Sequence, residues 1–431
     1  MSNANPRTVG IVGLGYVGLP LSDAFEAAGH HVIGFDIDSA KSKKLNQADS
    51  YLPHLGQELF DRLASSSRFQ PTSDEKALAQ CDAILVCVPT PVDEDRQPNL
   101  TYVEQTFEMI RRVHAPGCLV VLESTTWPGT TREVCLPLLS SGGQTLGKDF
   151  FLAFAPERED PGRDAPIRSI PRLVGGVDPA SSAQAVALYA EVCDEVIPVG
   201  SAEVAEAAKL LENTYRAVNI ALVNEYKMIL ERMGIDIYEV VDAASTKPFG
   251  FSRFDPGPGL GGHCIPVDPW YFAWAANRVG HPSRFVELAG EINTQMPRHV
   301  VNAVASVLAQ DAKDLDGSSI LVLGVAYKKN VGDVRETPAA PIVEDLQGRG
   351  AHVQYHDPLV PEFPKMRRHD LSLRSVPLTE QVVQEADAVL IVTYHDAIDF
   401  DLVATAAKRV VDTRNALSEA MLDHLWDAIQ L

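Results

Sequence analysis

The feature that most narrows what this chain can fold into sits near its start. An apolar run over 8–12 leads into Gly13-Leu14-Gly15-Tyr16-Val17-Gly18; a helical stretch over 19–28, a second apolar run over 31–35 and Asp36 follow. A strand, a glycine turn, a helix and a second strand in that order leave little choice of architecture. The first glycine makes the tight turn, the second lets backbone amides approach a pyrophosphate, and the third lets the helix pack on the strand. A carboxylate at the end of the second strand is placed to accept hydrogen bonds from the adenosine ribose and to repel a 2′-phosphate. The arrangement predicts an α/β dinucleotide-binding domain, with NAD as the cofactor in preference to NADP; FAD is the rival that the turn alone admits.

Compact apolar runs over 83–88, 119–122, 150–154 and 172–174 extend the pattern of a parallel sheet buried on both faces. From Ser201 the texture changes, and 204–233 is rich in alanine and leucine without Gly or Pro. That stretch predicts one long helix, followed by helices over 237–244, 269–278 and 287–308. Strand patterns return over 319–325, 352–355, 388–392 and 409–411. This last part echoes the first: 352–358 resembles 31–38, 386–393 resembles 81–88, and 409–415 resembles 119–125. The expected organisation is an N-terminal Rossmann domain over 1–200, a central helical domain over 201–310 and a second Rossmann-like domain over 311–431, in a chain of 431 residues.

Composition excludes some partners. A formal net charge of −21 does not suit a protein that binds nucleic acid, whose phosphates are met by basic surfaces. No apolar run reaches the roughly 20 residues of a membrane span, and the start of the chain has no signal-peptide pattern, so a cytoplasmic location is expected. The six cysteines are scattered without a Cys-x-x-Cys pair, which argues against a zinc site or a disulfide framework. Cys81, Cys87 and Cys118 lie in or beside apolar runs, as small core residues do. Cys264 alone lies in a polar, glycine-rich loop, Pro256-Gly257-Pro258-Gly259-Leu260-Gly261-Gly262-His263-Cys264-Ile265-Pro266-Val267-Asp268.

Other candidates stand at strand exits or on the long helix. Thr125 follows Glu123-Ser124, and Glu157 follows Phe154-Ala155-Pro156; both sit where open α/β sheets bind ligands. Lys209 and Asn213 are one helical turn apart and share a face. Taken singly, each has a plain reading as a turn, a charged surface loop or a solvated helix edge.

Together these pieces resemble the UDP-glucose/GDP-mannose dehydrogenase family. The glycine turn, Glu123-Ser124-Thr125, Pro156-Glu157-Arg158, Lys209-x-x-x-Asn213, Gly261-Gly262-His263-Cys264, and a late Ala326-Tyr327-Lys328-Lys329 with Asp333-x-Arg335-Glu336-Thr337-Pro338 occur in the family's order over 8–416. The two loops around Glu157 and Cys264 are most similar to those of members that oxidise UDP-N-acetylglucosamine at C6. The resemblance implies an NAD-dependent, four-electron oxidation of a UDP-sugar alcohol to a carboxylate, with Cys264 as the nucleophile. It implies that Lys209 and Asn213 stabilise the reacting oxygen, that Asp268 and Thr125 hold a proton-transferring water, and that Glu157 assists thioester hydrolysis. Gly13, Gly15, Tyr16, Val17, Gly18, Asp36, Pro89, Thr90, Thr125 and Arg335 would then contact NAD. Glu157, Arg158, Lys209, Asn213, Gly261, Lys328 and Arg414 would contact the substrate. It also implies a homodimer, or a higher homo-oligomer, built on the central helix.

Two departures stand out: Ala155 replaces the usual Ser before Pro156, and Arg163 replaces the usual Asn after Gly162. Oxidation of UDP-N-acetylmannosamine or UDP-glucose is the rival reading within the class. A non-oxidising NAD-dependent epimerase is the rival outside it, and it would have no use for the cysteine.

Overall fold

The computed structural model describes residues 6–52, 55–93, 95–158, 167–262, 264–366, 368–417 and 429–430. Arg163, His263 and the 159–162 part of the Glu157 loop, all singled out above, lie outside the described residues. The chain forms two compact units, Met1–Glu212 with Val267–Pro282, and Asn213–Pro266 with Ser283–Leu431. The division falls inside the long helix, so both units share the segment expected as a separate central domain.

The first unit is built on an eight-stranded sheet. In chain order its strands are β1 (Thr8–Val12), β2 (His31–Phe35), β3 (Phe69–Thr72), β4 (Ala83–Val86), β5 (Cys118–Leu122), β6 (Phe150–Phe154), β7 (Arg172–Gly176) and β8 (Val196–Pro198). Their spatial order is β3-β2-β1-β4-β5-β6-β7-β8. All neighbours are parallel except β6 and β7. Reversal of strand order beside β1 places the glycine turn at the sheet's switch point, where open α/β sheets bind ligands. Successive residues feed two cores, one with Ile84, Val86, Val120 and Leu122, the other with Ala83, Leu85, Leu119 and Val121. That double burial is why these strands read as unbroken apolar runs. The strand β3 escaped the sequence reading because Pro71 breaks its pattern; a proline is tolerated there because β3 is an edge.

The second unit holds a five-stranded parallel sheet of β9 (Ser319–Leu323), β10 (His352–His356), β11 (Ala388–Ile391), β12 (Val410–Asp412) and β13 (Ile429–Gln430), in the order β10-β9-β11-β12-β13. The long helix runs from Ala202 to Glu231, two residues earlier at each end than the periodicity predicts. It stops because Gly234 adopts a positive φ of 68°, and the Ile235 amide turns back to the Leu230 carbonyl. A further helix, Arg284–Ala309, carries Pro297 in its interior. Among the described residues, no helix is long and apolar enough to cross a membrane.

Candidate active site

In the first unit, the glycine turn is held by close backbone approach. Gly13 has φ +100°, its amide donates to the Phe35 carbonyl at 2.8 Å, and a Cβ there would stand 2.5 Å from the Cys87 carbonyl oxygen. A Cβ on Gly18 would lie 1.9 Å from the Gly13 carbonyl oxygen. Around Gly15, nothing lies within 4 Å of where a Cβ would stand, so the outer side of the turn is open. Asp36 is buried, and its Oδ2 accepts from the Leu14 amide at 2.9 Å and from Lys41 Nζ at 2.7 Å, while Oδ1 accepts from the Asp38 amide. A carboxylate offers about four lone-pair sites, so capacity remains for a ribose hydroxyl. An open turn at a helix N-terminus beside such a carboxylate fits a dinucleotide. Lys41 was not foreseen, and it offsets part of the repulsion that Asp36 would exert on a 2′-phosphate.

The same unit collects further candidates. Thr90 is buried, and its side chain pairs with Tyr271, whose hydroxyl also donates to the Pro91 carbonyl at 3.2 Å. Tyr271 belongs to the helix Asp268–Arg278, whose first residue is the buried Asp268. Tyr271 thus ties the Pro89–Pro91 loop at the exit of β4 to the Asp268 helix. Thr125 and Glu157 are half-buried at the exits of β5 and β6. Arg158 points its guanidinium at Glu212 (2.7 Å) and at the Pro171 carbonyl (2.8 Å), bracing the Glu157 loop against the long helix. On that helix Lys209 is buried.

Two polar clusters under these loops escaped the sequence reading. Arg172, at the start of β7, donates through Nη1 to Glu123 Oε2 (3.2 Å) and to the carbonyl of Pro156 (3.0 Å), the residue before Glu157. Tyr189 donates its hydroxyl to the other Glu123 oxygen. All three are buried. Burial pushes the Glu123 carboxyl up from its ordinary range, with the Arg172 charge and the Tyr189 hydrogen bond opposing. The second cluster centres on Glu206, fully buried on the long helix. Its carboxylate accepts from the amides of Gly129 (2.6 Å) and Thr131 (2.9 Å) and from the Thr131 hydroxyl (2.6 Å). Burial pushes it up to about 7 against those hydrogen bonds. The available signal was a Glu directly after the apolar run of β5 and an Arg opening that of β7.

In the second unit, Asn213 is buried and Cys264 is half-buried and outside any disulfide. In the first unit, Cys81, Cys118, Cys135 and Cys193 are free and buried, and burial pushes the Cys81 thiol up to about 12. A cavity of about 410 Å³ opens on the second unit, with Tyr238, Asp255, Tyr327, Lys328, Thr393 and Arg414 among the residues around it. Lys328 and Arg414, predicted as contacts of the substrate, are thereby brought to one wall. Arg414 is fixed by Nε donating to the Val392 carbonyl at 2.8 Å. Its Nη1 lies 2.6 Å from where a Cβ on Gly257 would be, so the Cys264 loop begins flush against the guanidinium. Arg335 forks onto Asp333, with Nη2–Oδ2 at 2.7 Å and Nε–Oδ2 at 2.9 Å. Gly261 packs on the side chains of Tyr327 and Pro338.

Known proteins place these features in one family. Residues 7–193 match the NAD binding domain of the UDP-glucose/GDP-mannose dehydrogenase family, 203–295 its central domain and 321–419 its UDP binding domain. The UDP-N-acetyl-D-glucosamine 6-dehydrogenase of Pseudomonas aeruginosa is 36% identical over 373 residues, covering 86% of this chain and 87% of that protein. The UDP-N-acetyl-D-mannosamine dehydrogenase of Pyrococcus horikoshii is 32% identical over 431 residues, covering 98% of each. A solved structure of the Pyrococcus horikoshii UDP-N-acetyl-D-mannosamine dehydrogenase superposes with a TM-score of 0.85 at 30% identity, covering 96% of each chain.

Proposed function

The chain belongs to the UDP-glucose/GDP-mannose dehydrogenase family of NAD-dependent UDP-sugar dehydrogenases, and from that premise we propose that it oxidises UDP-N-acetylglucosamine at C6 to the uronic acid through a covalent intermediate on Cys264. The observation that carries the reading is the wall of Lys328 and Arg414 on the unit that also bears the Cys264 thiol. A cationic wall suits a nucleoside diphosphate: Arg offers a planar fork and Lys a point charge. The choice of N-acetylglucosamine rests on the Glu157 and Cys264 loops and on the Pseudomonas relative; UDP-N-acetylmannosamine is the alternative that the Pyrococcus relative favours.

NAD would be held by Gly13, Gly15, Tyr16, Val17, Gly18, Asp36, Pro89, Thr90, Thr125 and Arg335, and when bound would supply a hydride acceptor for each of two oxidations. The Cys264 thiolate adds to the C6 aldehyde carbon, giving a thiohemiacetal, and the second oxidation leaves a thioester. Water attacks the thioester carbon, the C–S bond breaks, and the thiolate is regenerated with the carboxylic acid. Lys209 and Asn213 stabilise the oxygen as it gains negative charge, an effect that is worth several kcal/mol in a water-poor site. Asp268 and Thr125 hold the water that moves protons, and Glu157 acts as the acid/base of hydrolysis. Arg158, Gly261, Lys328 and Arg414 complete the substrate contacts. A catalytic thiol suits a reducing, cytoplasmic compartment.

The enzyme acts as a homodimer in this reading. Tyr215, Leu222, Tyr226 and Ile229 are exposed along one face of the long helix, a larger apolar stripe than an isolated surface helix needs. Light scattering of Leu222→Glu/Tyr226→Glu should report half the native mass, and an unchanged mass removes this interface.

The reaction is tested by incubating the protein with NAD and a panel of UDP-sugars. UDP-N-acetylglucosamine should give the highest kcat/KM and about two NADH per sugar; preference for UDP-N-acetylmannosamine or UDP-glucose overturns the substrate choice, and no net NADH would indicate an epimerase. Cys264→Ser should lose turnover by several orders of magnitude while still binding UDP. Near-normal oxidation by that variant removes the covalent route.

A further inference from the structure

The loop that carries Cys264 and the cavity that carries Lys328 and Arg414 share one side chain. Tyr327 forms part of the cavity wall. A Cβ on Gly261 would stand 2.5 Å from Tyr327 Cβ, and one on Gly262 would stand 3.0 Å from the ring at Cε2. The loop therefore lies on Tyr327, with no room for a methyl group at Gly261 and a tight fit for one at Gly262, three and two residues ahead of the nucleophile. Gly262 is also tied by its amide to the Arg335 carbonyl at 3.0 Å. The bed itself is stiff. The Tyr327 amide donates to the Asp333 carbonyl at 2.9 Å, and Asp333 holds the Arg335 amide and guanidinium through its carboxylate. Between Tyr327 and Arg335 the chain makes a closed turn that gives Tyr327 to the cavity wall and also seats the loop.

We propose that Tyr327 couples nucleotide binding to the placement of the Cys264 thiol. A diphosphate on Lys328 presses the neighbouring Tyr327 into one position. Gly261 and Gly262 follow that position because they touch it at van der Waals limits, and they hand it on to Cys264. Tyr327 is thus a positioning residue, and its effect is reciprocal: whatever moves the loop must change the affinity for the nucleotide. This inference rests on the nucleotide site and nucleophile proposed above.

Alkylation of Cys264 by iodoacetamide, followed by peptide mass, reads the thiol without turnover. UDP alone is the probe, with neither NAD nor sugar present, and its binding is measured by calorimetry. In the wild type, saturating UDP should change the Cys264 alkylation rate at least threefold. Tyr327→Phe keeps the ring and should keep the effect. Tyr327→Ala should lose it at UDP concentrations that calorimetry shows to be saturating. If UDP covers the thiol directly, Tyr327→Ala retains the effect and the coupling is overturned. Gly262→Ala supplies the reciprocal arm: Gly262 is not among the residues around the cavity, yet its added methyl should weaken UDP binding at least threefold. An unchanged dissociation constant in a folded Gly262→Ala protein overturns the proposal. Absence of UDP binding to the wild type rejects the nucleotide site itself, and the coupling with it. Normal UDP binding with normal oxidation by Cys264→Ser rejects the nucleophile alone.

Discussion

The eight-stranded and five-stranded sheets repeat one hydrogen-bonded frame and fill it differently. At the strand starts, the Thr8 amide bonds Asp82 Oδ2 and the Asp82 amide bonds the Thr8 carbonyl; Ser319 and Asp387 repeat both contacts. Gly13 donates to Phe35 as Gly324 donates to His356, and Leu14 bonds the Asp36 carboxylate as Val325 bonds that of Asp357. Ser124 reaches the Val86 carbonyl as Thr413 reaches that of Ile391. The strand register keeps the pairing of 119–125 with 409–415, since Leu122 lies opposite Val86 as Asp412 lies opposite Ile391. The differences lie in what fills the loops. The first loop has Gly15 facing open space. The second has Ala326, fully buried, in that place. Asp357 spends its oxygens on the amides of Val325, Ala326, Leu359 and Val360, and His395 Nε2 lies 3.2 Å away. One frame thus leaves a dinucleotide site open at one end of the chain and closes it at the other. In a Rossmann-like fold the side chains at the loop, rather than the strand order, decide whether a site exists.

The largest difference should appear beneath the fifth strand of the first sheet. Glu123 is held there by Arg172 and Tyr189, whereas Asp412, at the end of the matching strand of the second sheet, is held by the backbone amides of Arg414, Ala416 and Leu417. Removing one partner of a buried ion pair strands the other, at a cost of about 3–5 kcal/mol. Arg172→Met should therefore lower the urea midpoint far more than Asp412→Asn, which leaves no stranded charge. Adding Glu123→Gln to Arg172→Met should recover most of the stability. Equal losses from the two single variants would erase the distinction.

A smaller contrast separates Thr125 and Arg414, which follow matching strands of the two sheets. Arg414→Ala removes a fixed guanidinium from the cavity wall, and loss of a charged hydrogen bond of roughly 1.5–3 kcal/mol corresponds to a KM for the UDP-sugar raised about tenfold to a hundredfold. The KM for NAD should hold steady. Thr125→Ala should do the reverse, lowering kcat by about tenfold with little change in the KM of the sugar nucleotide. If both variants changed the same constant, the two strand exits would not differ in use.

Much of this comparison was legible in the sequence, and the rest was hidden for physical reasons. The strands of both sheets are apolar runs because both faces are buried, and the repeat was visible through Asp36 and Asp357, Asp82 and Asp387. The edge strand β3 was masked by Pro71. The Glu123–Arg172–Tyr189 cluster joins residues 49 and 66 positions apart, a pairing that no local pattern reports. Lys209, Asn213 and Asp268 read as solvated edges or turns when taken singly, yet all three are buried.

The paired aspartates give a third, weaker contrast. Asp36→Asn should raise the KM for NAD by about tenfold and narrow the preference over NADP, since a charged acceptor is lost beside the turn. Asp357→Asn should leave both constants alone and destabilise instead. Burial works against the Asp357 charge, but the hydrogen bond and charge of His395 and the amides of Leu359 and Val325 hold its carboxyl below the ordinary value. A depressed native pKa contributes stability at neutral pH, and that contribution is lost as pH falls below the ordinary carboxylate range. The gap in unfolding free energy between wild type and Asp357→Asn should thus be widest near pH 7 and close toward pH 3; a gap that widens on acidification contradicts the assignment.

The smallest expected effect is the most direct test of why the second loop is closed. If the Ala326 methyl alone excluded a dinucleotide, Ala326→Gly would reopen the turn, and calorimetry would count two NAD per chain instead of one. The frame argues otherwise. Asp357 has its lone pairs committed to four amides and faces His395, so no acceptor remains for a ribose hydroxyl whatever stands at position 326. His395 is itself pinned, its Nδ1 accepting from the Asn330 amide at 2.9 Å, and cannot swing aside without stranding that amide. Ala326→Gly should therefore bind one NAD per chain with wild-type affinity, and lose only about 1 kcal/mol of stability from the deleted methyl and the added backbone freedom. A second NAD site in that variant would mean that the methyl, and not the committed aspartate, closes the loop.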